Sequence, residues 1–197
     1  LFYGGEPNLS TSVKAYYALK LAGQKETSDV MKKAKDLIIK MGGAEKTNVF
    51  TKISLALFGQ ISWDSIPYMP IEIINFPKWF PFNIYKISYW SRTVLVPLLI
   101  IMQRRPQANN PNVISIDEIF KSKDYKISIE MGNKDEKFFS NLFLFIDKIL
   151  RLIFPAVPKK YKNRCIEKAY EWILDRLNGE DGLGGIFPAM VNSLIAL

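Results

Sequence analysis

Residues 81–99 read PFNIYKISYWSRTVLVPLL. The stretch is apolar enough to enter a membrane, yet it carries Lys86, Trp90 and Arg92 through its middle and Pro97 near its end. A spanning helix needs about 20 mostly apolar residues with few charges. Lys86 and Arg92 would each cost about 2.5–3.5 kcal/mol near the bilayer centre. Pro97 also removes one helical hydrogen bond, freeing the carbonyl of Thr93. The stretch, continued to Gln103, is therefore predicted as a helix buried in protein, with Arg92 paired to a carboxylate or to carbonyls. At helical spacing Trp90 shares a face with Ile87 and Val94. Taken by itself, that placement reads as a core anchor.

Almost every other periodic stretch also reads as helix. Ser10 or Thr11 can cap a helix to Gly23 with Val13, Tyr16, Tyr17 and Leu21 as its buried stripe. Ser28 can cap the next, in which Val30, Met31, Ala34, Leu37, Ile38 and Met41 recur at helical spacing until Gly42-Gly43. A third runs from Asn48 to Phe58. Between Ile61 and Pro81 the prolines Pro67, Pro70, Pro77 and Pro81 work against any long helix, so irregular turns are expected there. Residues 105–137 turn polar and read as a loop or insertion, with a short helix at Asp117–Phe120. Helices are then expected over Phe138–Phe154, Cys165–Leu177 and Ile186–Leu197, with a glycine-rich turn at 179–185. The glycine turn and helix at Gly4-Gly5 are echoed at Gly184-Gly185. Helices joined by glycine-rich turns point to an all-α chain, an α/α barrel of helical repeats.

Composition narrows the chemistry. The chain has 197 residues, one cysteine (Cys165) and no histidine. It can form no internal disulfide, no zinc site of Cys and His ligands, and no nucleophile–histidine pair. No metal and no cofactor are expected. The net charge of +8 suits an anionic partner. Nucleic acid is disfavoured, because the charge is spread out, no binding motif appears, and the aromatics sit inside apolar runs. The chain opens on Leu1-Phe2-Tyr3 and stops within an apolar helical pattern, so a longer polypeptide is expected.

Residues 138–154, FFSNLFLFIDKILRLIF, behave differently from the opening stretch. Ser140, Asn141, Asp147, Lys148 and Arg151 gather toward one side, while Phe139, Leu142, Phe143, Ile146, Ile149, Leu150 and Ile153 crowd the rest. Lys159, Lys160, Lys162 and Arg164 follow. A broad apolar face beside a cationic cluster fits a helix lying in a bilayer interface near anionic headgroups. An ordinary core helix followed by a solvated basic loop would give the same pattern.

Five ordered blocks together resemble the squalene–hopene cyclases: LSTSVKAYYALKLAG (9–23), GGAEKTNVFTKISLALFGQ (42–60), MPIEI (69–73), FPFNIYKISYWSRTVLVPLL (80–99) and NGEDGLGGIFPAM (178–190). The resemblance covers nearly the whole chain, and only about 105–137 lacks clear similarity. It implies an all-helical monotopic isomerase of two α/α-barrel domains, one inserted in the other, with this chain covering most of the inserted one. Such an enzyme draws squalene from the bilayer, protonates it with an aspartate of a D-x-D-D motif and cyclises it through carbocations to hopene or hopanol. That motif does not occur here. The resemblance places it beyond Leu197, so the chain carries no catalytic acid and should be inactive alone.

Carbocations need aromatic faces that stabilise charge without attacking it. The resemblance makes Trp90 a cavity-lining residue and Phe50 a second aromatic of that wall. It sets Ile87 and Leu95 near the channel, and Ile186, Phe187 and Pro188 at the cavity end where the last cation is quenched. One branch of the family has glutamine where Phe187 stands, which leaves the hopene-to-hopanol ratio open. The segment from Asp175 to Gly184 is similar to a degenerate Q–W repeat lacking both its glutamine and its tryptophan. Squalene, an anionic bilayer surface and a second copy of the chain are the expected partners, at the cytoplasmic membrane of a bacterium. The rival readings are a cyclase for another linear polyprene and a non-catalytic α/α-toroid module that binds membranes or a protein.

Overall fold

The computed structural model describes residues 4–81, 83–122 and 134–197. They are helical, and no strand occurs among them. Seven α-helices follow in order: α1 (Leu9–Leu21), α2 (Asp29–Lys40), α3 (Val49–Leu57), α4 (Tyr89–Arg104), α5 (Lys134–Ile153), α6 (Lys159–Leu174) and α7 (Phe187–Ala196). The chain forms two compact units, Leu1–Pro67 with Gln107–Leu144, and Tyr68–Pro106 with Phe145–Leu197.

In the first unit α1 packs on α2. Asn8 caps α1, accepting the Thr11 N–H at 3.0 Å, two residues before the cap expected at Ser10. Val13, Tyr16 and Tyr17 are buried as the spacing requires, but Leu21 at the frayed end is exposed. Val30 on α2 is exposed as well, so only Met31 and Ile38 of that stripe are fully buried. Asn48 caps α3 through the Thr51 N–H. Gly42 and Gly43 end α2 at positive φ, a region open to glycine at no steric cost.

Within 105–137 the described part is tied down by side chains. Gln60 donates from Nε2 to the Ile114 carbonyl at 3.0 Å and accepts the Ile116 N–H at 3.0 Å. A single 3-10 turn, Asp117–Ile119, covers the short helix expected there. Glu118 accepts from Tyr16 Oη at 2.8 Å and from Lys20 Nζ at 2.7 Å, and Lys20 also donates to the Ser115 carbonyl. Burial alone would raise the Glu118 carboxyl, but hydrogen bonds from Lys20, its own backbone and Tyr16 hold it below the ordinary value. Burial, and then the bond to Glu118, pushes the Tyr16 hydroxyl upward.

In the second unit α4 packs against α6 and α7, and the 3-10 turn Ile71–Asn75 packs against α4 and α6. The core there includes Ile71, Ile74, Val96, Leu99, Ile100, Ile173 and Cys165. Pro97 is buried inside α4, which continues to Arg104. The helix begins at Tyr89 and not at the start of 81–99. Ser88 accepts the Ser91 N–H at 3.2 Å and sets the boundary. Residues Ile84–Lys86 form a separate 3-10 turn. The basic run KKYKNR is also not a loop: it is the first turn and a half of α6, entered from Pro158.

Because the Glu118 carboxyl lies below its unfolded value of about 4.3, its contribution is present above that value and lost as pH falls through the lower folded one. Acidification from pH 7 to 3.5 should therefore speed exchange at the Ile116 and Ile119 amides beyond the intrinsic rate. Glu118→Gln should be fast at both pH values; an unchanged pH response in that variant would remove Glu118 from the account.

Candidate functional site

Trp90 stands in the first turn of α4 and is 57% exposed, so it is not the core anchor that its spacing alone suggests. Its carbonyl accepts from Thr93 Oγ1 at 2.7 Å, and its ring meets the Tyr89 ring edge-on at 5.9 Å. Arg92 lies with Cζ 5.9 Å from the Tyr89 ring. Its Nε is buried and makes no hydrogen bond among the described residues, in place of the expected pairing with a carboxylate or carbonyl.

Thr93 is fully buried and touches the glycine turn before α7. Gly184, at φ +69°, lies so close that a Cβ there would sit 3.2 Å from Thr93 Oγ1. One turn farther along, Asn192 Nδ2 donates to the Val94 carbonyl at 3.4 Å. These contacts set the Gly184 turn and the second turn of α7 beside Thr93 and Val94, in the second turn of α4. Of the expected residues, Trp90 lies three residues before Thr93 on α4 and Ile186, Phe187 and Pro188 follow Gly184, all within the second unit.

Phe187 is 76% exposed at the start of α7, Pro188 is exposed, and Ile186 is half-buried. Met190, Leu194 and Leu197 continue the exposed apolar line of Phe187 along α7. The sequence predicts a helix over Ile186–Leu197 without assigning a face to it. Leu95 is half-buried within α4. Ile87 is half-buried but precedes Ser88, so it does not share a helical face with Trp90. Phe50 lies in the first unit, on the first turn of α3, and is exposed; its carbonyl accepts from Ser54 Oγ at 3.1 Å.

The one buried side chain described on α5 is an acid, while Leu144, Ile146, Leu150 and Arg151 are half-buried. Asp147 is 6% exposed, accepts the Tyr68 N–H at 2.5 Å and pairs with Arg151 Nε at 2.6 Å. Leu142, Phe143, Phe145, Ile149, Leu152 and Ile153 are exposed. Of the residues expected to face a membrane, Ile146 and Leu150 are instead half-buried, and the Phe139 side chain lies outside the described residues. Phe145 and Leu152, absent from that expectation, are among the most exposed. No helix among the described residues is long and apolar enough to cross a membrane. No cluster of His, Cys, Asp or Glu that could hold a metal occurs among them either.

Beneath α4 and α6, Glu72 is 2% exposed and neither carboxylate oxygen has a hydrogen-bond partner among the described residues. Burial, and then the nearby Glu72 charge, raise both the Cys165 thiol and the Tyr68 hydroxyl.

The described residues are thus helical and leave the aromatic side chains of Trp90 and Phe187 exposed. The chain belongs to the family described as the squalene-hopene cyclase N-terminal domain, whose model matches residues 1–197. It is 43% identical over 195 residues to a squalene–hopene cyclase of Zymomonas mobilis, covering 99% of this chain and 29% of that protein. It is 32% identical over 198 residues to a squalene–hopene cyclase of Alicyclobacillus acidocaldarius, covering 100% of this chain and 31% of that protein. A dammaradiene synthase of Dryopteris crassirhizoma is 30% identical over 201 residues, 100% of this chain and 29% of that protein. The chain therefore spans about three tenths of the length of these relatives.

Gly184→Ala should lower the melting temperature of the full-length protein. A side chain at positive φ costs about 1–2 kcal/mol, and the new Cβ also crowds Thr93. An unchanged melting temperature would mean that the turn relaxes freely and does not fix the contact.

Proposed function

We propose that this chain forms part of the cavity wall of a squalene–hopene cyclase, an isomerase that protonates squalene and closes its rings through carbocations. The observation that carries the reading is the exposure of Trp90 and Phe187 on the packed pair of helices α4 and α7, in a chain of this family. In this reading the acid comes from the remainder of the protein, since these residues include no D-x-D-D motif.

Each role follows from side-chain chemistry. The Trp90 indole offers a π face to a passing carbocation, an attraction of about 2 kcal/mol or more once desolvated. It has no lone pair basic enough to capture that cation. Phe187, with Ile186 and Pro188, keeps the terminal cation away from water, so that loss of a proton competes well against hydration. Ile87 and Leu95 narrow the approach. Thr93, Tyr89 and Gly184 position these groups without touching substrate.

The exposed apolar face of α5 supports attachment to the cytoplasmic membrane, with a partner of anionic lipid. A helix that buries Asp147 and exposes Leu142, Phe143, Phe145 and Leu152 is the reverse of a water-facing one. The cations of α6, Lys159, Lys160, Lys162 and Arg164, follow it directly in the chain. Association of two copies belongs to the same reading, as a means of covering further apolar surface.

In the full-length enzyme Trp90→Leu should yield prematurely terminated or rearranged cyclisation products by gas chromatography, while Trp90→Phe retains most of the parent profile. An unchanged profile in the leucine variant would take Trp90 out of the cavity. Phe143→Asp with Ile146→Asp should move the protein from the membrane pellet to the supernatant; sedimentation like the parent's would refute the membrane role of α5.

A further inference from the structure

Trp79 is 79% exposed, among the largest exposures of any apolar side chain described. The turn beneath it is closely held. The Phe80 N–H donates to the Pro77 carbonyl at 2.9 Å. Asn83, 3% exposed, donates from Nδ2 to the carbonyls of Lys78 at 3.1 Å and Phe80 at 2.6 Å. Its Oδ1 accepts the Tyr85 N–H at 2.9 Å. The Trp79 ring lies edge-on to Phe80 at 6.0 Å, and Phe80 meets Phe76 at 4.9 Å. The buried amide thus fixes a turn whose indole points into solvent.

The surroundings are cationic. Lys78 Nζ sits 5.4 Å from the centre of the Tyr85 ring, and Tyr85 and Lys86 are exposed. From residue 73 to residue 116 the chain has no acidic side chain, while it carries Lys78, Lys86, Arg92, Arg104 and Arg105. Tryptophan and tyrosine beside lysine suit the headgroup level of a bilayer, where the rings meet acyl chains and the ammonium groups meet phosphates. A dry protein contact over Trp79 would have to desolvate Lys78 and Lys86 with no acid of this segment to pair them. The charge therefore favours an anionic lipid surface as the occupant.

We propose that the Pro77–Phe80 turn, with the Ile84–Lys86 turn to which Asn83 ties it, is a second membrane anchor, separate from α5, which seats Trp79 among the headgroups of an anionic bilayer with Lys78 and Lys86 on its phosphates. It rests on the membrane-bound reading of the protein and extends it to a segment with no amphipathic helix. The rigid turn costs little ordering on contact, since Asn83 already holds it.

The test uses the full-length protein and two kinds of vesicle, phosphatidylglycerol mixed equally with phosphatidylcholine, and phosphatidylcholine alone. Trp79→Ala should weaken binding about tenfold, while Trp79→Phe should bind nearly as the parent does. Lys78→Gln with Lys86→Gln should lose about fivefold per lysine on the anionic vesicles and nothing on the zwitterionic ones. Headgroup-proximal brominated lipid should quench the parent's tryptophan fluorescence more than that of Trp79→Phe. Circular dichroism and squalene turnover in detergent should match the parent in all three variants, which separates an anchoring defect from misfolding. Equal quenching in parent and Trp79→Phe, with unchanged binding of Trp79→Ala, would overturn the proposal and place the indole under protein. If Phe143→Asp with Ile146→Asp still binds and Trp79 is still quenched, the α5 reading fails and the turn stands. If that variant is released while the Trp79 and lysine variants bind normally, the turn fails and α5 stands.

Discussion

The approach of Gly184 to Thr93 is the constraint on which the candidate site depends. Thr93 is buried, its hydroxyl donates to the Trp90 carbonyl, and a Cβ on the chain passing beside it at Gly184 would crowd that hydroxyl. The turn before α7 lies against the second turn of α4, and the aromatics near the contact on each helix, Trp90 and Phe187, are exposed.

The same logic of buried polar support and outward apolar display recurs twice. Asp147 faces inward on α5, fastened to the Tyr68 N–H and to Arg151, and leaves Phe145 and Leu152 in solvent. Asn83 fastens the Pro77–Phe80 turn and leaves Trp79 in solvent. In water such an arrangement forfeits hydrophobic stabilisation at about 25 cal/mol per Å². It becomes favourable when those surfaces meet hydrocarbon, whether a lipid leaflet or a polyene in a cavity.

Much of the helical order was legible in the sequence, because apolar spacing and glycine stops carry it. Local capping was harder to see. Asn8 precedes the serine and threonine that drew attention as caps, and Ser88 interrupts a run whose hydrophobicity continues unbroken. As a result Ile87 was assigned to the face of Trp90 although it lies outside the helix. The basic run after Pro158 reads as loop by charge, yet proline favours a helix start there and α6 absorbs it. Burial direction was the least legible property. Trp90 looked like core and α5 looked polar on its water side, because periodicity reports that a face exists without saying what covers it. For Trp90 and Phe187 the expectation of a cavity came from the resemblance in five ordered blocks and not from periodicity. No such block pointed to Trp79 or to the outward line of α7.

The central claim is that Trp90 offers its ring to positive charge on a bound polyene. The most direct measurement is the affinity of the full-length protein for a squalene analogue carrying an ammonium group in place of a cationic carbon, set beside that for its neutral hydrocarbon counterpart. Trp90→Leu should weaken the ammonium analogue about tenfold and leave the neutral one nearly unchanged. Equal losses for both, or none for either, would show that the indole serves only to fill space and would contradict the account.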